Sequence, residues 1–271
     1  MPVLRKDKRG VLFVHVPKTG GSSIENHFVD AGWTMSYHSS STSVGSLNYY
    51  RWCTSQHMHG DPLRATFRLN RFEAVFMIVR DPVARFRSEY AWRHGIEGEG
   101  AVDLSAGAVE AWAERRFAKY ARNPYLLGNH IRPQADFLVP GVEVMRFEDG
   151  LDAAIARLNE RYDLDLPPHV GRERTSEGAA GVSSKDVEIS PALHQRLVEF
   201  YARDFEEFGY PTEAGAAGPR PAATVGADQR PARRAMEREI VAEQTSDLRA
   251  GELLAEVARR ATDRVRAAFR R

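Results

Sequence analysis

The chain has 271 residues, 28% of them charged and 42% hydrophobic, and its length allows one enzyme-sized domain plus an appendage. The formal net charge of +1 at pH 7 excludes a global electrostatic attraction to nucleic acid or to an anionic membrane surface. Cys53 is the only cysteine, which excludes an intramolecular disulfide and a zinc site built on several thiolates.

The N-terminal residues lead into a first apolar segment that is much shorter than the roughly 20 residues of a membrane span. They also lack the small-residue cleavage site of a secretory signal peptide. With a single cysteine, these features predict a soluble cytoplasmic protein without a membrane span.

Three short apolar runs predict buried parallel strands, at residues 11–16, 74–79 and 142–147. Helical spacing of apolar residues follows the first run at 22–32 and the third at 151–162. Strands that alternate with helices predict an α/β fold, with a P-loop-like parallel sheet flanked by helices.

Further helices are predicted towards the end of this domain. Residues 103–120 form one, and Ser190 followed by Pro191 is typical of a helix start, here of a long helix that runs through Phe208. The domain is predicted to close at Gly209-Tyr210-Pro211, so that it comprises residues 1–211.

The rest of the chain is predicted to be an appendage. Residues 212–231 are rich in Ala, Gly and Pro without apolar periodicity, as in a linker. Residues 232–271 predict a basic amphipathic helical tail, with an apolar stripe and arginines within 246–269. The stripe fits docking on the chain's own domain, homo-oligomerisation, or binding of an acidic partner, and the sequence does not decide among them.

A glycine-rich segment, HVPKTGGSS, connects the first predicted strand to the first helix. It brings a lysine, two glycines and hydroxyl groups to a helix N-terminus, where free N–H groups and the helix dipole attract an anion. Lysine precedes the glycines, unlike in the nucleoside-triphosphate motif GxxxxGK. The alternative is a tight turn with a surface lysine. The residues predicted to hold the anion are Lys18, Thr19, Gly20, Gly21, Ser22 and Ser23.

A second anion site is predicted where the second strand ends. Arg80 ends that strand, and Asp81 with Pro82 is typical of a helix start. Ser88 lies about two turns into this helix, so it faces the same anion as Arg80 if strand end and helix pack side by side. The alternative is an ion pair between Arg80 and Asp81 or another acid.

The first loop resembles the 5′-phosphosulfate loop of sulfotransferases that use 3′-phosphoadenosine 5′-phosphosulfate (PAPS). HVPKTGGSS is similar to the carbohydrate-directed family that includes the heparan sulfate 2-O-sulfotransferases, and the resemblance spans roughly residues 10–211 in motif order. It implies the sulfotransferase fold and sulfuryl transfer from PAPS to a hydroxyl group, expected to belong to a carbohydrate. It further implies adenosine 3′,5′-bisphosphate as product and no requirement for a metal.

The resemblance also implies roles for arginines. Arg80 and Ser88 match the pair that holds the 3′-phosphate of PAPS in this family, and Arg85 is expected to have a structural or stacking role. Sulfotransferases close the nucleotide pocket with a basic loop, in which Arg172 or Arg174 would contact the 3′-phosphate. The sequence does not decide between these two arginines.

A histidine near the donor sulfur is suited to accept the proton of the acceptor hydroxyl. The family carries a histidine six residues before a leucine, and His57 with Leu63 keeps this spacing, so His57 is preferred to His59 as the base. Without the flanking motifs, either histidine would be interpreted as an ordinary polar loop residue. His15 is predicted to be a core histidine whose hydrogen bonds are satisfied.

Acceptor contacts are assigned tentatively to His59, His130, Arg132 and Gln134, because residues 129–134 resemble another stretch of the family. A turn before the third strand explains this stretch equally well. Two other functions stay open: a P-loop kinase-like nucleotide enzyme, and a non-catalytic protein that binds nucleotide or glycan on the same scaffold.

Overall fold

The computed structural model describes residues 2–97, 102–171 and 181–215, and in these ranges five strands form one sheet. The strands are β1 (Val3–Lys6), β2 (Arg9–Val14), β3 (Thr34–Ser36), β4 (Ala74–Val79) and β5 (Glu143–Arg146). Their order is β3-β1-β2-β4-β5. β4 pairs in parallel with β2 and β5, whereas β1 is antiparallel to β2 and β3, so that four strands point the same way.

Seven α-helices lie in the described ranges. They are α1 (Gly21–Asp30), α2 (Gly60–Thr66), α3 (Pro82–Glu97), α4 (Ala106–Tyr120), α5 (Leu151–Tyr162), α6 (Pro191–Phe200) and α7 (Ala202–Phe208). Helices on a mostly parallel sheet confirm the predicted α/β fold, and the three predicted strands correspond to β2, β4 and β5.

Two short strands, β1 and β3, were not predicted from the sequence. β1 forms a hairpin with β2 through a turn in which Asp7 has a φ of 55°, and β3 has only three residues. β1 lies at the N-terminus and ends in Arg5 and Lys6, so it lacks the continuous apolar run of a strand buried on both faces.

The predicted long helix that starts at Ser190 is wrong in its length. Ser190 does cap it, accepting a hydrogen bond from the N–H of Leu193 at 3.0 Å. The helix breaks at Tyr201, which has φ −103° and ψ 24° and separates α6 from α7. The Tyr201 side chain is buried and donates a hydrogen bond to the carbonyl of Ile131 at 3.0 Å, so a tertiary contact holds the residue at the break. Similarly, the helix predicted at 103–120 begins only at Ala106.

The sheet has a hydrophobic core on each face. Along β4, Val75, Met77 and Val79 belong to one core, and Ala74, Phe76 and Ile78 belong to the other. All six are fully buried, which explains why β4 reads as a continuous apolar run rather than an alternating one.

Two predictions fall wholly or largely beyond the described residues. The structure describes only the first few residues of the predicted linker and none of the predicted tail at 232–271. Among the helices that the structure does describe, none is long and apolar enough to cross a membrane.

Candidate active site

A cavity of about 1350 Å³ opens at the carboxyl ends of the parallel strands. Val14 of β2 pairs with Met77 of β4, so the segments that follow these two strands emerge at the same edge of the sheet. Lys18 and Arg80, which come from these segments, both line the cavity. Open α/β sheets bind their ligands in this kind of crevice.

The glycines of the first loop are required by close packing. Gly20 has a φ of 82°, and a Cβ at this position would lie 3.0 Å from the Phe147 ring. A Cβ at Gly21 would overlap the His15 imidazole. Both glycines also line the cavity, so the backbone of the loop is accessible to a ligand there.

The first turn of α1 presents backbone donors. Among the described residues, the N–H groups of Gly21 and Ser22 have no hydrogen-bond acceptor, as is usual at a helix N-terminus. Ser22 and Ser23 line the cavity, whereas the fully buried Thr19 hydroxyl donates to the carbonyl of Val16 at 2.9 Å. The Thr19 side chain therefore stabilises the loop, and its predicted ligand contact is not supported.

Lys18 adds a cation at the cavity wall. Its Nζ lies 4.5 Å from the centre of the Trp92 ring, and its backbone has a φ of 68°. Burial lowers the pKa of Lys18 to about 8; the charges of Arg80 and Arg93 act in the same direction, and that of Glu89 opposes them. The ammonium is therefore still mostly protonated at neutral pH.

Arg80 also contacts the loop. Its Nη1 donates to the carbonyl of Lys18 at 3.3 Å, and its guanidinium lies 4.6 Å from the centre of the Phe147 ring. The Gln134 side chain accepts from the backbone N–H of Arg80 at 2.9 Å and donates to its carbonyl at 2.7 Å. These contacts fix where the guanidinium enters the cavity.

Helix α3 brings Ser88 to the same cavity. Asp81 caps this helix as predicted, since its carboxylate accepts from the N–H of Ala84 at 2.7 Å. Ala84, Ser88 and Trp92 follow one another at intervals of four residues and all line the cavity. Arg85 points away into the core, where it donates to two backbone carbonyls, which is the structural role expected of it.

A family model described as the sulfotransferase family matches residues 1–211. The chain belongs to this family. The match covers the sheet, the glycine-rich loop, Arg80 and Ser88, so this cavity is the candidate active site of a sulfotransferase, an enzyme that transfers a sulfuryl group. Neither the curated proteins nor the solved structures yielded a match.

Of the two candidate bases of this sulfotransferase, only His57 reaches the cavity. Its side chain lines the wall, and burial lowers its pKa well below the usual value, so the imidazole is neutral at pH 7. His59 lies behind the wall, with its ring 5.6 Å from that of Tyr125 and its Nδ1 3.4 Å from Nδ2 of Asn129.

Of the residues tentatively assigned to the acceptor, only His130 lines the cavity. Gln134 is fully buried against Arg80, and Arg132 is occupied by Asn129, Asp136 and the carbonyl of Pro124. The structure therefore gives no support to a direct acceptor contact from Arg132, Gln134 or His59, because none of them lies in the cavity wall.

Two residues of the wall, Trp92 and Arg93, and the buried Glu89 behind them were not found from the sequence. Buried Glu89 accepts from His130 and Arg93, and Trp92 stacks on His130 with ring centres 5.0 Å apart. Burial raises the pKa of Glu89, but its cationic neighbours outweigh burial and lower it to about 2, so Glu89 is ionised. Positions 89, 92 and 93 follow helical i, i+3, i+4 spacing, which was the available signal.

The predicted nucleotide-closing arginines, Arg172 and Arg174, lie outside the described residues. Described residues on either side of that gap, Val170 and Ser183, line the cavity together with Lys185. In the described part of the chain, no group of three or more His, Cys, Asp or Glu side chains is arranged to hold a metal ion.

Proposed function

We propose that this sulfotransferase transfers the sulfuryl group of PAPS to a carbohydrate hydroxyl group, with His57 as the base. The observation that carries the proposal is the meeting of two cationic sites at one loop. The Lys18 ammonium lies 4.5 Å from the centre of the Trp92 ring, and the Arg80 guanidinium donates to the Lys18 carbonyl at 3.3 Å. Both line one cavity, as a ligand with two separate phosphate groups requires.

The residues of the cavity suit such a donor. We call residues 18 and 20–23 together with Arg80 and Ser88 the donor wall. The loop N–H groups, the glycines and Lys18 form a cradle for the 5′-phosphosulfate. Arg80 and Ser88 supply a guanidinium and a hydroxyl for the 3′-phosphate.

The proposed transfer step depends on the protonation states of His57 and Lys18. The acceptor oxygen forms a bond to sulfur while the bond from sulfur to the phosphate oxygen breaks, and His57 takes the proton of the hydroxyl group. His57 is suited to this role because burial keeps it neutral at pH 7. Lys18 stabilises the negative charge on the oxygens of the transferred and leaving groups.

An exposed aromatic surface next to the cavity supports a carbohydrate acceptor. We call residues 44–52 together with Tyr125 the aromatic rim. Tyr50 and Trp52 are 81% and 80% exposed, and Trp52 stacks on Tyr125 with ring centres 6.0 Å apart. The chain leads from Trp52 into Thr54 and His57, which line the cavity. Exposed ring faces offer flat apolar area to a sugar ring whose hydroxyl group lies at His57.

Binding of adenosine 3′,5′-bisphosphate tests the donor site. Without magnesium, the bisphosphate at 100 times its Kd should stabilise the protein by about 2.7 kcal/mol, and ATP with magnesium should give no shift. Arg80→Ala should abolish the shift, whereas Arg196→Ala, which removes an exposed arginine from a surface ion pair, should retain it. Stabilisation by magnesium-ATP alone would contradict the proposal and favour a kinase-like enzyme.

Transfer of radiolabelled sulfuryl groups from PAPS to a panel of glycans and small alcohols tests the reaction. We expect product with glycans and loss of product in His57→Ala. A protein that binds the bisphosphate but transfers to no member of the panel would instead be a non-catalytic binding protein.

A further inference from the structure

The His57 ring lies between two other histidines. The centre of the His15 ring is 4.9 Å away at an interplanar angle of 88°, and that of His130 is 4.8 Å away at 79°. Among the described residues, the His57 ring accepts or donates no hydrogen bond. Its orientation therefore depends on the two rings that pack against it.

His15 is anchored by a buried carboxylate. Its Nδ1 is hydrogen-bonded to Glu25, and both side chains are almost completely buried. Glu25 also accepts two hydrogen bonds from the Gln56 amide, at 3.0 and 3.2 Å. Burial would raise the pKa of Glu25, but its polar partners outweigh burial and lower it, which keeps this carboxylate ionised.

His130 repeats this arrangement on the opposite side of His57. Its Nδ1 is 2.7 Å from the carboxylate of Glu89, whose side chain is 2% exposed. Arg93 donates to the same carboxylate at 2.9 Å, and Trp92 stacks on the His130 ring at an interplanar angle of 17°. Both the plane of this ring and its rotation within the plane are thus fixed.

A carboxylate bound to Nδ1 selects the histidine tautomer with the proton on Nδ1, and it also orients the ring. The two pairs join distant parts of the chain: Glu25 lies in α1 and Glu89 lies in α3. Two different helices therefore each supply the carboxylate of a carboxylate–histidine pair, and the histidine rings of both pairs pack against the His57 ring.

We propose that Glu25 and Glu89 are positioning residues for His57, which hold it in the cavity through His15 and His130. The inference rests on the proposed function, in which His57 takes the proton of the acceptor. Neither carboxylate contacts the His57 ring, so each acts only through its own histidine.

Electrostatics supports this arrangement. Burial is the main cause that lowers the pKa of His57, and the neighbouring His130, His15 and Lys18 lower it further. The Lys18 ammonium makes a second positive charge at this site more costly. Burial and this neighbouring cation thereby keep His57 in the neutral form that a base needs.

Nitrogen NMR on the full chain tests the proposal without any acceptor. In ¹⁵N-labelled protein, the His15 and His130 rings should be predominantly Nδ1-protonated, with cross-relaxation between each ring and His57. Glu25→Gln should disturb the tautomer of His15, and Glu89→Gln that of His130, and each change should shift the ring signals of His57. Glu114→Gln, the same change at an exposed ion pair, should leave all three rings unaltered.

Kinetics gives the second readout. Each variant should lower kcat by about 10- to 100-fold, by analogy with carboxylates that orient metal-bound histidines, at unchanged affinity for adenosine 3′,5′-bisphosphate. Glu89→Asp, which keeps the carboxylate, should recover part of the loss. If Glu89→Gln fails to fold, Glu25→Gln and Glu89→Asp decide the outcome.

Nε2-protonated flanking rings in the wild type, or Gln variants with unchanged His57 signals, would overturn the proposal. The proposed function fails separately, when the wild type neither binds the bisphosphate nor transfers sulfuryl groups. The NMR result stands in either case, because it needs no ligand.

Discussion

The donor wall lines the cavity, whereas the aromatic rim lies next to cavity-lining residues along the chain, and the two regions are built differently. The donor wall follows the ends of β2 and β4, the first turn of α1 and the second turn of α3, and buried Gln134 fixes the backbone of Arg80. The aromatic rim consists largely of a segment with a single short 3₁₀ turn, Leu47–Tyr50, and most of its large side chains are exposed. We therefore expect strand ends and helices to hold the donor and a loop to meet the acceptor.

This difference predicts how substitutions should act. A change in the donor wall should affect transfer to every acceptor equally, because all reactions share one donor. A change in the aromatic rim should affect only those acceptors that extend over it. A substitution with the opposite behaviour would show that the two regions are not functionally separate.

Replacement of Lys18 should have the largest effect. Lys18→Ala removes the cation that stabilises the transferred group, and the loss should be about 2.7–4 kcal/mol in the barrier, or about 10²- to 10³-fold in kcat. Single-turnover transfer from PAPS should show the same loss with every acceptor. Lys119→Ala, at an exposed lysine in the last turn of α4, is the control and should be fully active. A loss confined to one acceptor would contradict the division between wall and rim.

Replacement of Gly21 tests the shape of the donor wall. Because a Cβ at Gly21 would overlap His15, Gly21→Ala should destabilise the protein by about 1–3 kcal/mol and weaken bisphosphate binding at least tenfold. Gly107→Ala is the matched control, since a Cβ there meets nothing within 4 Å, and it should stabilise α4 by about 0.5–1 kcal/mol. Thermal unfolding and calorimetry measure both effects, and equal behaviour of the two variants would refute the packing argument.

The donor wall was largely predictable from the sequence because its chemistry is local. Lys18, Gly20 and Gly21 are consecutive or nearly so, and Arg80 follows a fully buried strand directly. The apolar runs of β2, β4 and β5 were visible for the same reason. Buried strands and the turns after them leave a signal within a few residues.

The remaining features depend on contacts between distant residues. His130 and Glu89 are 41 positions apart, and the Gln134 side chain bonds to a backbone 54 positions away. Neither pairing has a periodicity to reveal it. Gln134 was therefore interpreted as an acceptor contact, although the fold uses its amide to hold Arg80.

The pH dependence of donor binding is the third prediction. The pKa of Lys18 is lowered to about 8, so its charge is present below this value and is lost as the pH rises through it. Bisphosphate affinity should therefore fall above pH 8, by up to about tenfold per pH unit if binding requires the protonated form. Calorimetric titrations at pH 7 and 9.5 measure the fall. Lys18→Arg, which keeps its charge throughout, should remove most of it, and a pH-independent wild type would contradict the assignment.

The aromatic rim should give the smallest and most selective effect. Trp52→Ala removes an exposed ring face on which a sugar ring would stack, and a stacking contact of an aromatic ring is worth about 0.5–1.5 kcal/mol beyond its buried area. We therefore expect kcat/KM to fall about 3- to 10-fold for oligosaccharide acceptors that extend over the aromatic rim, with unchanged values for small alcohols and unchanged bisphosphate binding. Val29→Ala removes an exposed apolar side chain from α1 and should alter neither value. If Trp52→Ala weakened transfer to small and large acceptors alike, Trp52 would support the cavity rather than bind the acceptor, and the carbohydrate assignment would lose its structural support.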